Sequence, residues 1–145
     1  MATYSSSAVS NGNPTAGHGI AGNVKVARAE VTCSAAPSTA DTINFFDLPA
    51  GARVHLAVLE ASDMDTNASP TLALNVGDSG SAARLFAAST VGQAATLSTA
   101  IATAGADYQY TAKTRITGVA STNAATGAAG TVTLTVLYTV EGLAS

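Results

Sequence analysis

The chain has no tryptophan and one cysteine, and only 10% of its 145 residues are charged. A single cysteine, Cys33, excludes an intrachain disulfide framework; a lone thiol of this kind reads as a small buried apolar group. Lysine and arginine total 6 and are scattered as Lys25, Arg28, Arg53, Arg84, Lys113 and Arg115. No basic patch can be assembled from sequence neighbours, which sets nucleic-acid binding aside. No apolar run reaches the roughly 20 residues that a membrane helix needs, so no membrane partner is expected. The opening Met1-Ala2-Thr3-Tyr4-Ser5-Ser6-Ser7 lacks the basic start and apolar stretch of a secretory signal. The expectation is a product kept in a cytosol or assembled there into something larger.

Soluble domains carry about 25% charged residues, so a surface this poor in charge must be built largely from Ala, Ser, Thr and Gly. Neutral surfaces resist association weakly. Alanine supplies about half of the 47% apolar fraction, and Leu, Ile, Val and Phe together make about a fifth of the chain. So thin a core points to burial between subunits that supplements burial within one chain.

The remaining pattern is that of strands. Thr131 to Val140 alternates without a break, with Val132, Leu134, Val136 and Tyr138 on one face and threonines dominating the other; such a run predicts a strand with one buried face. Its predicted partners across the interior are Leu72, Leu74 and Val76, which alternate in the same way. Between Thr42 and Gly80, three apolar runs are separated by Pro49-Ala50-Gly51 and by the polar stretch Ser62–Pro70, a spacing that predicts a three-stranded meander. Asn23 to Cys33, with Lys25, Arg28 and Glu30, reads as a charged edge strand. Ser81 to Thr90 is alanine-rich and reads as one helical turn, with a strand through Arg84-Leu85-Phe86 as its alternative. Thr96 to Ala102 reads equally as a helix, from the Leu97/Ile101 spacing, or as loose strand or loop; Tyr108 to Tyr110 reads as the start of a strand, and Lys113 to Val119 as the next strand. Together these give an all-β, single-domain β-sandwich or jelly roll of about seven or eight antiparallel strands over residues 24–145. Residues 1–23, rich in Ser, Asn, Gly and Ala, read as an irregular N-terminal arm.

Chemistry-bearing residues are few. Asp63-Met64-Asp65-Thr66-Asn67 has the alternating oxygen spacing of a calcium loop, yet an EF-hand would need Gly and Glu where Ala68 and Leu74 stand. A solvated loop with Asx turns is the simpler reading, with a plain calcium site as its alternative. His18 has no second ligand near it in sequence, and His55 is placed opposite a Val54/Leu56/Val58 face, at the surface or at an interface. No nucleophile motif, metal-ligand pair or phosphate-cradling loop is found, so neither enzyme activity nor a cofactor is expected.

Several longer stretches are more specific. Asp41-Thr42-Ile43-Asn44-Phe45-Phe46-Asp47-Leu48-Pro49-Ala50-Gly51-Ala52-Arg53-Val54, Asp63–Asn67, Ser69-Pro70-Thr71-Leu72-Ala73-Leu74-Asn75-Val76-Gly77-Asp78 and Gly127–Leu134 resemble a family of small tailed-bacteriophage virion proteins, the capsid decoration or cement proteins. The resemblance covers roughly half of the chain. It implies a β-sandwich or jelly-roll module that binds the outer surface of the major capsid protein shell, as a homo-oligomer (dimer or trimer), and stabilises the head. It also implies a virion location on the capsid exterior after assembly in the bacterial host cytoplasm. Candidate partner-binding residues are Tyr4, Val9, Pro14, His18 and Ile20 in the arm, with Phe45 and Phe46. A head-fibre, tail or baseplate component shares this composition; a carbohydrate-binding sandwich would need exposed aromatics that this sequence barely supplies.

Overall fold

The computed structural model describes residues 23–142. Among these, the strands are β1 (Lys25–Cys33), β2 (Ile43–Leu48), β3 (Ala52–Ala61), β4 (Ala73–Asp78), β5 (Ser81–Ser89), β6 (Leu97–Ser98), β7 (Thr114–Thr122) and β8 (Gly130–Val140), with one short 3-10 turn at Val91–Gln93. They form two antiparallel four-stranded sheets, in the orders β1-β8-β3-β6 and β2-β7-β4-β5. Pairing runs β1 with β8, β2 with β7, β3 with β6 and β4 with β5. The chain thus folds back on itself around one core as the all-β sandwich of eight antiparallel strands expected from the sequence.

The β8 register follows the alternation in the sequence. Val132, Leu134 and Val136 are buried, and across the interior they meet Leu72, Leu74, Val76, Phe86 and Ile116. Tyr138 lies at the end of this row, half-buried against the same cluster. β1 is an edge strand, as its charges indicated.

Three expectations are corrected. The Thr42–Gly80 segment is not a meander: β2 and β4 belong to the second sheet and β3 to the first. Pro49-Ala50-Gly51 is therefore a corner that carries the chain between sheets. Gly51 sits there at φ 85 with its open side against the Glu141 carbonyl, a place that a Cβ would obstruct. Alternation shows which face of a strand is buried but not which neighbour it pairs with, so hairpin and corner look alike in sequence.

Ser81 to Ser89 is strand β5 and not a helical turn. Alanine's helix preference amounts to a few tenths of a kcal/mol per residue, and pairing with β4 together with full burial of Leu85 and Phe86 outweighs it. The third correction concerns β3. A bulge at His55 separates the pairs Val54–Tyr138 and Leu56–Leu137. Beyond the bulge Ala57, Leu59 and Ala61 point inward, so Leu56 and Val58 stand on the outer face rather than with Val54.

Candidate interaction surfaces

Tyr4, Val9, Pro14, His18 and Ile20 lie outside the described residues. Phe45 and Phe46 are placed on β2, an edge of the second sheet, where a bulge lies between Asn44 and Phe46. Both rings are half-buried against the core. Phe45 lies over Gly118, where an added Cβ would come within 3.1 Å of the ring. β1 and β2 border an open side of the sandwich, with a cleft of about 590 Å³ lined by Val31, Cys33, Ala36, Pro37 and Ile43 among others. Cys33 is half-buried there, and its thiol is pushed up by burial and by the nearby Asp41 carboxylate, which makes it a poor nucleophile.

The Asp63–Asn67 loop is organised by one carboxylate. Asp65, only 1% exposed, accepts backbone N–H bonds from Thr71 at 2.7 Å, Leu72 at 3.0 Å, Ala125 at 3.0 Å and Thr126 at 2.9 Å. Burial alone would raise its pKa, but the four amides outweigh that and hold the group well below the usual carboxylate range. Its oxygens are occupied by amides, so Asp65 ties the β3–β4 loop to the β7–β8 loop and is not presented as a cation ligand. Asn67 Nδ2 donates to Thr126 Oγ1, Thr71 Oγ1 donates to the Asn123 carbonyl, and Thr39 N–H donates to Asn123 Oδ1. Three loops at this end of the sandwich are thereby fixed together as a polar platform, with Asp41 and Asp63 exposed on it.

A second buried charge was not anticipated from the sequence. Asp78, 6% exposed, accepts from Arg84 Nε at 2.5 Å, from the Gly80 and Ser81 amides, and from the Tyr110 hydroxyl at 3.1 Å. The Arg84 guanidinium lies 3.9 Å from the centroid of the Tyr108 ring, which meets Tyr110 edge-on at 4.9 Å. Burial opposes ionisation of Asp78, yet Arg84, the two amides and Tyr110 keep it below its ordinary range. Burial and the Asp78 charge together push the Tyr110 hydroxyl far upward, so it stays a donor. This cluster anchors residues 107–110 along β3, where Tyr110 N–H donates to the Ala52 carbonyl and Val54 N–H to the Tyr108 carbonyl. The sequence offered a faint signal for it, an Asp-Ser-Gly turn followed closely by Arg84.

The two outer faces differ in chemistry. On the second sheet, Asp47 pairs with Arg115 and with Lys113 at 3.2 Å. The bond from Arg115, helped by Lys113 and opposed by desolvation, brings the Asp47 carboxyl down to about 2. Asn44, Thr117 and Asn75 share this outer face with Val119, which stands opposite Asn75. On the first sheet, Val26, Leu137 and Leu56 stand in one row, since Leu137 is directly opposite both neighbours. Val58 and Leu97 are on the same side by the same registers. His55 is exposed beside this row, with Nε2 2.8 Å from Thr139 Oγ1. Among the described residues no group of three His, Cys, Asp or Glu side chains is placed to hold a metal ion.

No protein-family model and no curated protein matches the chain. Solved structures do. A chain of the cyanophage Pam1 capsid asymmetric unit is 46% identical, with a TM-score of 0.77, over 88% of this chain and 91% of that one. A chain of the capsid of Ralstonia phage GP4 is 32% identical, with a TM-score of 0.72, over 87% and 89%. A chain of the acidic stable capsid structure of Helicobacter pylori bacteriophage KHP30 is 21% identical, with a TM-score of 0.56, over 82% and 89%, and shares the fold alone. With nearly half of its residues identical across almost the full length of the Pam1 chain, this protein belongs to the family of phage capsid proteins represented by the Pam1 and GP4 chains.

Proposed function

We propose that the protein is a capsid decoration, or cement, protein that binds the outer surface of the major capsid protein shell and stabilises the head. The observation that carries this reading is the near-full-length likeness to chains of phage capsid assemblies, joined to the decoration-protein resemblance of the Asp41–Val54 and Ser69–Asp78 stretches. The mechanism is binding without catalysis. A ligand that binds only the assembled shell stabilises it by mass action, and buried area across joints between capsomers supplies the free energy. A surface with little charge and many Ala, Ser and Thr side chains loses little on desolvation when it lies flat against such a shell. The loop platform fixed by Asp65 supports the reading further, because a preorganised surface loses less conformational freedom on docking.

In this reading the protein assembles in the host cytoplasm onto the capsid exterior as a homo-oligomer, a dimer or trimer. Residues 1–23 act as an anchoring arm beside the sandwich of residues 24–145. Contacts to the shell come from Tyr4, Val9, Pro14, His18 and Ile20, and from the Phe45–Phe46 edge. Deletion of residues 2–20 tests the arm: the far-ultraviolet circular dichroism shape and melting temperature should stay nearly unchanged, while occupancy on purified virions falls. Full decoration by the truncated protein would transfer the contact to the sandwich loops. Imaging of virions with and without the protein tests the exterior location. Density that disappears from the tail, and not from the head surface, would overturn the reading.

A further inference from the structure

We infer that residues 99–113 form a strap that opens and closes as a unit while the sandwich stays folded, with the Tyr110–Asp78 hydrogen bond as its latch. The strap joins β6 to β7 and is the longest connection among the described residues. It leaves the edge of the first sheet, touches the second and returns. Ala102 N–H donates to the Leu85 carbonyl on β5. Gly105 lies so close over β5 that an added Cβ would collide with the Arg84 carbonyl. From there the strap runs beside the start of β3. Asp107 N–H donates to the Val54 carbonyl at 2.9 Å and Val54 N–H to the Tyr108 carbonyl at 3.0 Å. Tyr110 N–H donates to the Ala52 carbonyl at 2.8 Å and Gly51 N–H to the Tyr110 carbonyl at 2.7 Å. Since β6 pairs only with Leu59 and Glu60, the strap is what covers the Gly51–Val54 part of this edge.

Little apolar burial holds it there. Within the strap only Gly105 and Tyr110 are buried, and both ends, Thr99–Ala100 and Thr111–Lys113, are exposed. Asp107 sits at φ 61, a left-handed conformation whose strain opening relieves. Few buried contacts and exposed ends mark a segment of low local stability. Arg53 donates to the Asp107 carbonyl and to Gln109 Oε1 nearer the surface, whereas the bond from the Tyr110 hydroxyl to Asp78 is buried. A hydrogen bond to an ionised group is stronger than a neutral one, so this bond carries most of the hold.

Asp78 does not depend on the strap in return. With the strap lifted it keeps Arg84 at 2.5 Å and the Gly80 and Ser81 amides at 2.8 and 3.0 Å, all from the β4–β5 hairpin. Arg84 loses only its place over the Tyr108 ring. Opening therefore orphans no buried charge, and the sheet beneath has no electrostatic reason to unfold with it. What opening frees is the Gly51 and Val54 amides and the Ala52 and Val54 carbonyls. An unpaired strand edge of this kind is a template for another extended chain, so the latch sets how often the first sheet presents it.

Hydrogen exchange of the full chain, read residue by residue in urea below the unfolding transition, tests the inference. The amides of Gly51, Val54, Asp107 and Tyr110 should share one protection, at least about 100-fold less than that of Thr133 and Thr135 on β8, with little dependence on urea. Leu134→Ala weakens a core that the open state retains, so it should lower protection on β8 and leave the four strap-linked amides unaltered. Should Leu134→Ala fail to fold, Val136→Ala carries the same comparison. Tyr110→Phe should lower protection of the four amides by about 10-fold or more. It keeps an aromatic ring at the site, and should also speed chymotrypsin cleavage after residues 108 and 110. Strap amides that are protected like β8 and follow it in Leu134→Ala would overturn the inference, because the segment would then open only by global unfolding. Unaltered protection in Tyr110→Phe would overturn the assignment of the latch.

Discussion

Replacing Leu134 by alanine probes the sandwich interior at its centre. Leu134 is fully buried on β8, flanked by Ala29 of β1 and Leu59 of β3. The change removes three carbons, about 2.4 kcal/mol of transfer free energy. Ala29 is too short to fill the space, so most of the lost volume remains as a cavity that costs about another 1.5 kcal/mol. The total, about 4 kcal/mol, is a large share of the 5–15 kcal/mol typical of a domain's stability. In a domain of this size it should lower the melting temperature by roughly 12–16 °C. Urea titration in dilute protein, followed by circular dichroism, should show an earlier midpoint with an unchanged slope. Leu137→Ala is the matched control. It deletes the same atoms three residues along β8 but on the outer face, where the side chain is only half-buried, and should cost about 1 kcal/mol. Equal losses at the two positions, or a greater loss at Leu137, would refute the register on which the fold description depends.

Asp65→Asn should lower stability at neutral pH and flatten its acid dependence. A carboxyl held low by folding contributes fully above its unfolded value of about 3.9, and that contribution fades as pH falls from there toward the folded value. Melting temperatures of wild type should thus drop more steeply below about pH 4 than those of the variant, and parallel curves would show that the amide cradle does not discriminate charge. Ala88→Gly should raise stability by up to about 1 kcal/mol, since Ala88 sits at φ 47, where a Cβ is strained; a lower melting temperature would mean that the bulge in β5 tolerates alanine without cost.

The strands whose partners supply nothing but a buried face were legible in the sequence. β8 is the clearest case, because its threonines and valines alternate and its place at the centre of the sheet demands nothing more. β1 was legible through Lys25, Arg28 and Glu30. What escaped depended on residues far apart in sequence. His55 breaks the alternation of β3 by bulging against β8, and the run Arg53–Glu60 gives no local sign of it. The Ser81–Ser89 alanines take strand geometry only because β4 is beside them. The roles of Asp65 and Asp78 are set by amides and side chains from elsewhere in the chain, up to 61 residues away for Asp65, so neither was visible in sequence. Phe45 and Phe46 stood out in sequence as large and clustered, and the structure places them half-buried against the core on the edge strand β2.

The central claim is that the protein binds assembled heads and strengthens them. Heads lacking the protein, titrated with the purified full chain, test it most directly when bound copies and the temperature of DNA release are read from the same samples. Binding should saturate at a fixed number of copies per head, and the release temperature should rise with occupancy to a plateau at saturation. Heads that take up no protein, or that bind it in full and release DNA at an unchanged temperature, would contradict the account.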